Sequence, residues 1–191
     1  MAGVKTNWTT ADYLDIEASA DSAGPRYELS QGELIVSAAT SFSHNEIRDR
    51  LNARLRSFVE PRRLGLVAGL TEFQIGPSTV RRPEVAFVQA VRWRREYASQ
   101  VPVPIAPDLC FDVVAPHERT GALMIKIGQY LAAGTQAVWL IYPERQEALR
   151  YSEDWLQPEA RQEIEEPRLL PLFTLPLREI LPAIAEPSRA G

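Results

Sequence analysis

Three charged side chains stand where the surrounding sequence is apolar. Glu84 follows Pro83 and precedes Val-Ala-Phe-Val. Asp112 lies between Phe111 and Val113-Val114, and Lys126 sits within Leu-Met-Ile-Lys-Ile. Burying an isolated charge is costly unless it is paired or bound to a metal. Two carboxylates and one ammonium can satisfy one another. They can also hold a hard divalent cation, because Mg²⁺ accepts carboxylate oxygens, a backbone carbonyl and waters. A cation so held activates water and stabilises a phosphoryl-transfer transition state. A lysine beside it orients or deprotonates the nucleophile, or neutralises developing charge. Structural readings compete with this one. Glu84 could simply pair with Arg81 or Arg82 at a strand edge, Asp112 could be a buried structural acid, and Lys126 could reach along its stem to water.

Composition singles out the lysine. Of 21 basic residues in 191, 19 are Arg, and only Lys5 and Lys126 are Lys. Arginine would serve equally for surface charge, so Lys126, alone in the body of the chain, marks a position that calls for an amine. A single cysteine, Cys110, excludes an internal disulfide framework and any CxxC metal site. Two histidines, His44 and His117, argue against a multi-histidine zinc site. Residues 40–98 carry 11 Arg against six carboxylates, a locally basic stretch that could face a polyanion or form solvated helix and loop surfaces. The overall charge of −4 argues against tight, sequence-independent DNA binding. The opening MAGVKTNWTTADYLD has no apolar leader, and the run Ala137–Tyr142 is far too short to span a membrane. The expectation is a cytoplasmic protein without a membrane segment, one domain over 1–191 with end segments at 1–8 and 182–191 outside its packed body.

The elements that must position these residues follow from patterning. A short helix is expected over Thr10–Ala18, and a hairpin over Arg26–Val36 turning at Ser30-Gln31-Gly32. Ser43 and Glu46 form a capping box before a long helix with Ile47, Leu51, Leu55, Phe58 and Val59 at helical spacing, ended by Pro61. Leu66–Ile75 and Thr79–Gln89 read as two strands around Gly76-Pro77-Ser78. After a proline-rich connection, Leu109–Ala115 is an apolar strand. A second helix runs from near Thr120 to Gly134 and brings Lys126 and Tyr130 one turn apart on one face. Ala137–Tyr142 reads as a buried strand paired with Ala148–Tyr151, and Leu169–Leu181 as a covering segment. His44 reads as a first-turn helix residue, Cys110 as a small core side chain, and Glu28 and Glu33 as solvated hairpin acids. The order of elements predicts an α/β (α+β) chain, a central mixed β-sheet with helices on its faces.

Several strings, in order, resemble the Uma-type restriction endonuclease family of the PD-(D/E)XK nuclease superfamily. Arg26-Tyr-Glu-Leu-Ser-Gln-Gly-Glu-Leu is similar to the family's RYELIDGEL, and Ser43-His44 opens the following helix. Arg82-Pro-Glu-Val stands where the family has Q/R-P-D-V, and Leu109–Pro116 (LCFDVVAP) where it has LVVEVLSP. Lys126-x-x-x-Tyr130-Leu-Ala-Ala-Gly is similar to K-x-x-x-Y-x-x-A-G, and Val138–Pro143 to YWIVDP. The likeness covers roughly residues 10–181.

The resemblance implies a restriction-endonuclease-like core with an N-terminal helix and β-hairpin, and hydrolysis of DNA phosphodiesters with Mg²⁺ or Mn²⁺. It implies that Glu84 and Asp112 bind metal with the Val113 carbonyl, that Lys126 is the motif lysine moved onto the helix, and that Glu28 or Glu33 adds a carboxylate. His44 and Tyr130 would line the site. Arg48, Arg54, Arg92, Arg94 and Arg95 would contact the DNA backbone, and by analogy with enzymes that cut two strands the protein would act as a homodimer. The sequence departs from the family pattern in having Glu84 for Asp, Asp112 for Glu, and Ala115 for the Ser near the second acid. A relative that keeps the fold but has lost catalysis, and binds nucleic acid or a partner, is the alternative expectation.

Overall fold

The computed structural model of the protein describes residues 7–19, 26–37, 40–116, 118–152 and 158–182. The end segments expected at 1–8 and 182–191 lie outside these, apart from Asn7, Trp8 and Pro182, as does His117. In chain order the elements are α1 (Thr10–Ser19), β1 (Tyr27–Ser30), β2 (Glu33–Val36), α2 (Phe42–Arg62), β3 (Gly65–Gly69), β4 (Phe73–Gly76), β5 (Thr79–Arg81) and β6 (Val85–Gln89). They continue as β7 (Leu109–Val113), α3 (Thr120–Ala132), β8 (Ala137–Tyr142), β9 (Glu147–Tyr151), β10 (Glu159–Arg161), β11 (Glu163–Glu165) and β12 (Thr174–Pro176).

Side-chain alternation along β7 and β8 divides the core in two, as a strand buried on both faces requires. Phe111, Val113, Trp139 and Ile141 pack with Ile47, Leu51, Leu55 and Val59 of α2. Cys110, Val138 and Leu140 pack with Leu123, Ile127 and Tyr130 of α3. The sheet between these helices has six strands in the order β10-β9-β8-β7-β6-β3, and only β7 and β8 run parallel. Chain 169–181 closes the α2 side with Leu170, Phe173, Leu177 and Ile180, as expected of a covering segment.

Two expected strands are each broken in two. The first leaves the large sheet after β3, where Leu70 takes φ 50°, and re-enters as β4. The second breaks between β5 and β6 at Arg82-Pro83-Glu84, where Pro83 has no N–H to give a ladder. The two halves therefore serve different sheets, and β4 and β5 join the hairpin in a four-stranded antiparallel sheet, β2-β1-β5-β4. Tight reversal of that hairpin comes from Gln31 and Gly32, both with positive φ (50° and 84°), the pair that matches strand twist.

The long helix also starts earlier than the sequence pattern indicates. Ser41, not Ser43, has the extended backbone of a cap, and its Oγ accepts from the His44 N–H at 3.2 Å. Ser43 is already helical, and Glu46 pairs with Arg50 rather than reaching back to a cap. Pro61 does not end the helix but stands inside its last turn, and the chain leaves through Arg63 at φ 54°. Ser41→Ala is expected to cost about 1 kcal/mol of stability in urea unfolding, while Ser43→Ala costs a few tenths at most. Equal losses would return the cap to Ser43.

Candidate active site

The pairing of β6 with β7 sets Val85 against Phe111, so the residues just beyond, Glu84 and Asp112, meet at the end of the ladder. There Asp112 Oδ1 accepts the Glu84 backbone N–H at 3.0 Å. The Pro83 break thus supplies a backbone donor that orients the buried acid. From α3, on the other side of Asp112, Lys126 Nζ stands 3.0 Å from Asp112 Oδ2 and 3.4 Å from Glu28 Oε1. It also donates to the Arg82 carbonyl at 3.4 Å. Burial opposes the charge on this amine, but Asp112 and then Glu28 outweigh it, and the ammonium is held above the ordinary lysine range.

Of the two hairpin acids, only Glu28 reaches this cluster; Glu33 is exposed. Glu28 is 8% exposed and lies on β1 beside β5. Its Oε2 accepts from Arg81 Nη1 at 2.8 Å and its Oε1 from the Arg82 backbone N–H at 2.8 Å. Burial pushes its carboxyl up, but Lys126, Arg81 and that N–H together bring it below the ordinary value of 4.5. Arg81 is itself buried, and its Nη2 and Nε donate to Ser30 Oγ and Gln129 Oε1 at 2.9 and 2.7 Å.

Glu84 is paired neither with Arg81, which holds Glu28, nor with Arg82, which holds Glu72. Its Oε1 meets His44 Nε2 at 2.5 Å instead. His44 is buried in the first turn of α2, so the helix start and the Pro83 break converge on one carboxylate. Tyr130, a turn from Lys126, is fully buried with its ring centre 6.0 Å from Nζ, and its hydroxyl has no partner among the described residues. The Val113 side chain packs on the α2 face, so only its backbone could contribute here.

The arginines expected to meet DNA have mixed placements. Arg48 bonds Asn45 and Asp49, Arg54 pairs with Glu179, and Arg92 holds the buried Asp108 and the Ala106 carbonyl. Arg94 and Arg95 are exposed, Arg94 lying over the Tyr97 ring. Only the tertiary structure gives Arg81, Ser30 and Gln129 their part in holding Glu28. The one local signal was Gln129, three residues after Lys126 and so on a neighbouring helix face.

Among the described residues no three of His, Cys, Asp and Glu are grouped so as to hold a metal ion by themselves. Two carboxylate oxygens nevertheless remain available in buried positions. Glu84 Oε2 has no hydrogen bond, and Asp112 Oδ2 has only its ion pair with Lys126. Two such hard oxygens fit Mg²⁺, which commonly takes one or two carboxylates and completes its shell with water and substrate phosphate.

A mixed sheet with helices on both faces, one acid on β7, another at the entry to β6 and a lysine on the next helix fit a restriction-endonuclease-like fold. A crystal structure of a "putative nuclease belonging to DUF820" from Anabaena variabilis has the same fold, with TM-score 0.77, 20% identity, and coverage of 91% of this chain and 97% of that one. The chain belongs to the Uma2 family, whose model, described as "Putative restriction endonuclease", matches residues 10–178. No curated protein matches it.

The Glu28–Lys126–Asp112 arrangement carries a pH signature. A lowered carboxyl stabilises the fold above 4.5, and that contribution is lost as pH falls through its folded-state value. A raised ammonium contributes below 10.5 and is lost only as pH rises beyond that. Glu28→Gln is therefore expected to lose about 3 kcal/mol at neutral pH, the scale for breaking a buried pair. Its stability should also fall less steeply than wild type on acidification. Parallel slopes in urea unfolding across acid pH would show that Glu28 is not the titrating group.

Proposed function

We propose that this protein is a divalent-metal-dependent endonuclease that hydrolyses DNA phosphodiester bonds. The observation that carries the reading is the convergence on Asp112 of the Glu84 backbone N–H, from the residue before β6, and the Lys126 ammonium, each at 3.0 Å, with the Glu84 carboxylate held by His44. The family's description and the name of the structural neighbour agree with it.

Glu84 and Asp112 would hold Mg²⁺ or Mn²⁺, with the Val113 carbonyl as a third donor, and the ion would supply Lewis-acid activation of water and charge neutralisation. Each of the chain's own residues then has a separable part. His44 fixes one oxygen of Glu84 and leaves the other free. The Glu84 N–H holds Asp112 in place. Asp112 and Glu28 favour the charged form of Lys126, which suits it to donate to a phosphate oxygen as negative charge builds there. Glu28, held by Arg81, keeps that ammonium charged and aimed. Exposed Arg94 and Arg95, and Arg48 and Arg54 on α2, would meet the DNA backbone. A homodimer would deliver cuts to both strands.

The test is cleavage of plasmid and single-stranded DNA with Mn²⁺, alongside calorimetry of Mn²⁺ binding. Wild type should cut. Lys126→Ala should cut roughly 100-fold more slowly with metal binding retained, the scale of removing one charge-stabilising donor. Asp112→Ala should lose both. If Lys126→Ala cuts as fast as wild type, the lysine has no catalytic part. A wild type that neither binds metal nor cuts would favour a fold-retaining, non-catalytic binding protein.

A further inference from the structure

Along β7 the side chains facing α3 are Cys110, Asp112 and then Val114, whose N–H extends the ladder to the Ile141 carbonyl at 2.8 Å. Val114 is thus about 7 Å beyond Asp112 on the same face, two strand residues at roughly 3.3 Å each. At that point a cleft of about 240 Å³ opens, walled by Val114, Leu123 and Tyr142 and rimmed by Glu118, Glu144 and Arg145. None of these residues has a part in the chemistry above.

The lining selects its occupant. Tyr142 offers an aromatic face, and the Arg145 guanidinium carbon is 5.2 Å from the ring centre while also reaching Glu147 at 3.5 Å. Glu118 is anchored by the Ala115 N–H at 3.3 Å. Partial burial first, and then the charges of Asp112 and Glu84, outweigh the Ala115 N–H and Lys126 and raise its carboxyl above the ordinary range. Two carboxylates against one guanidinium repel a phosphate. They favour a neutral, flat group that presents N–H donors. The cleft lies below the roughly 300 Å³ at which pockets for drug-sized ligands begin, a size suited to one ring system. Nucleobases with an exocyclic amino group meet these requirements, whereas the one ring N–H of unpaired thymine lies between two carbonyl oxygens that a carboxylate repels. A base in the cleft cannot stay stacked in a duplex, so it must be unpaired or turned out of the helix.

We propose that this cleft is a nucleobase subsite, taking an amino-bearing base next to the phosphate at Asp112, stacked on Tyr142 and hydrogen-bonded to Glu118. Its placement beside a phosphate rests on the nuclease reading; its affinity for a base does not.

The experiment titrates the full-length, ¹⁵N-labelled protein with deoxycytidine and with thymidine, both free of phosphate, in the presence of chelator. Deoxycytidine should shift the amides of Val114, Leu123 and Tyr142, and bind roughly tenfold more tightly than thymidine, the scale of one hydrogen bond to a charged group. Glu118→Gln should abolish that preference, and Tyr142→Ala should weaken both nucleosides. Glu118 is on the surface, so its variant is expected to fold even if the Tyr142 variant does not. Shifts absent from the cleft, or a preference unchanged in Glu118→Gln, would overturn the proposal. Mn²⁺ cleavage by the same wild-type sample separates the two readings. Cleavage without cleft shifts removes the subsite alone, and cleft shifts without cleavage remove the nuclease reading alone.

Discussion

The Lys126 ammonium lies between Asp112 and Glu28, at 3.0 and 3.4 Å, on a side chain that is 16% exposed. An ion in that position is tolerable only if its partners are fixed, because each partner removed leaves uncompensated charge in a low-dielectric interior. Much of the local architecture secures those partners. Arg81, itself held by Ser30 and Gln129, and the Arg82 N–H hold Glu28, and the Glu84 backbone holds Asp112. The small sheet, the large sheet and α3 each contribute one charge to a single group, so their relative placement is tied to it.

The same constraint explains the interrupted strands. If Thr79–Gln89 ran unbroken, Arg81 and Val85 would belong to one sheet, and Glu28 on β1 could not neighbour β5 while Asp112 neighboured β6. Pro83 ends pairing in one sheet before it begins in the other. The three residues between β5 and β6 each take part: the Arg82 carbonyl accepts from Lys126, Pro83 breaks the ladder, and Glu84 meets both Asp112 and His44.

Charge on this protein serves two purposes. The arginines of the first half divide between internal ties, such as Arg81 to Glu28, Arg82 to Glu72 and Arg92 to Asp108, and surface positions such as Arg94 and Arg95. A locally basic composition therefore overstates the cationic surface open to a polyanion. The acids beyond β8 are likewise partly internal. Glu166 is buried and accepts from the Trp139 indole at 2.8 Å and from Arg150.

What the sequence determined by itself is what short-range pattern encodes. Apolar periodicity marked α3, β7 and β8, because a helix face or a strand buried on both sides must be apolar at a fixed period. Asp112, Glu84 and Lys126 stood out because a charge inside such a run needs a reason to be buried. The family strings added the order of these elements and the expected fold. Tertiary structure decided the rest, because those choices depend on residues far apart in the chain. Glu28 and Glu33 look alike in the hairpin, and only the packing of β1 against β5 buries the first and exposes the second. Ser30 and Gln129 are 99 residues apart yet share a hydrogen bond, and no local period could announce it. Ser41 rather than Ser43 caps α2, which also sets His44 where Glu84 waits. Even the state of Lys126 was settled only in three dimensions. Burial and ion pairing push a lysine in opposite directions, and the distances to Asp112 and Glu28 determine that pairing prevails.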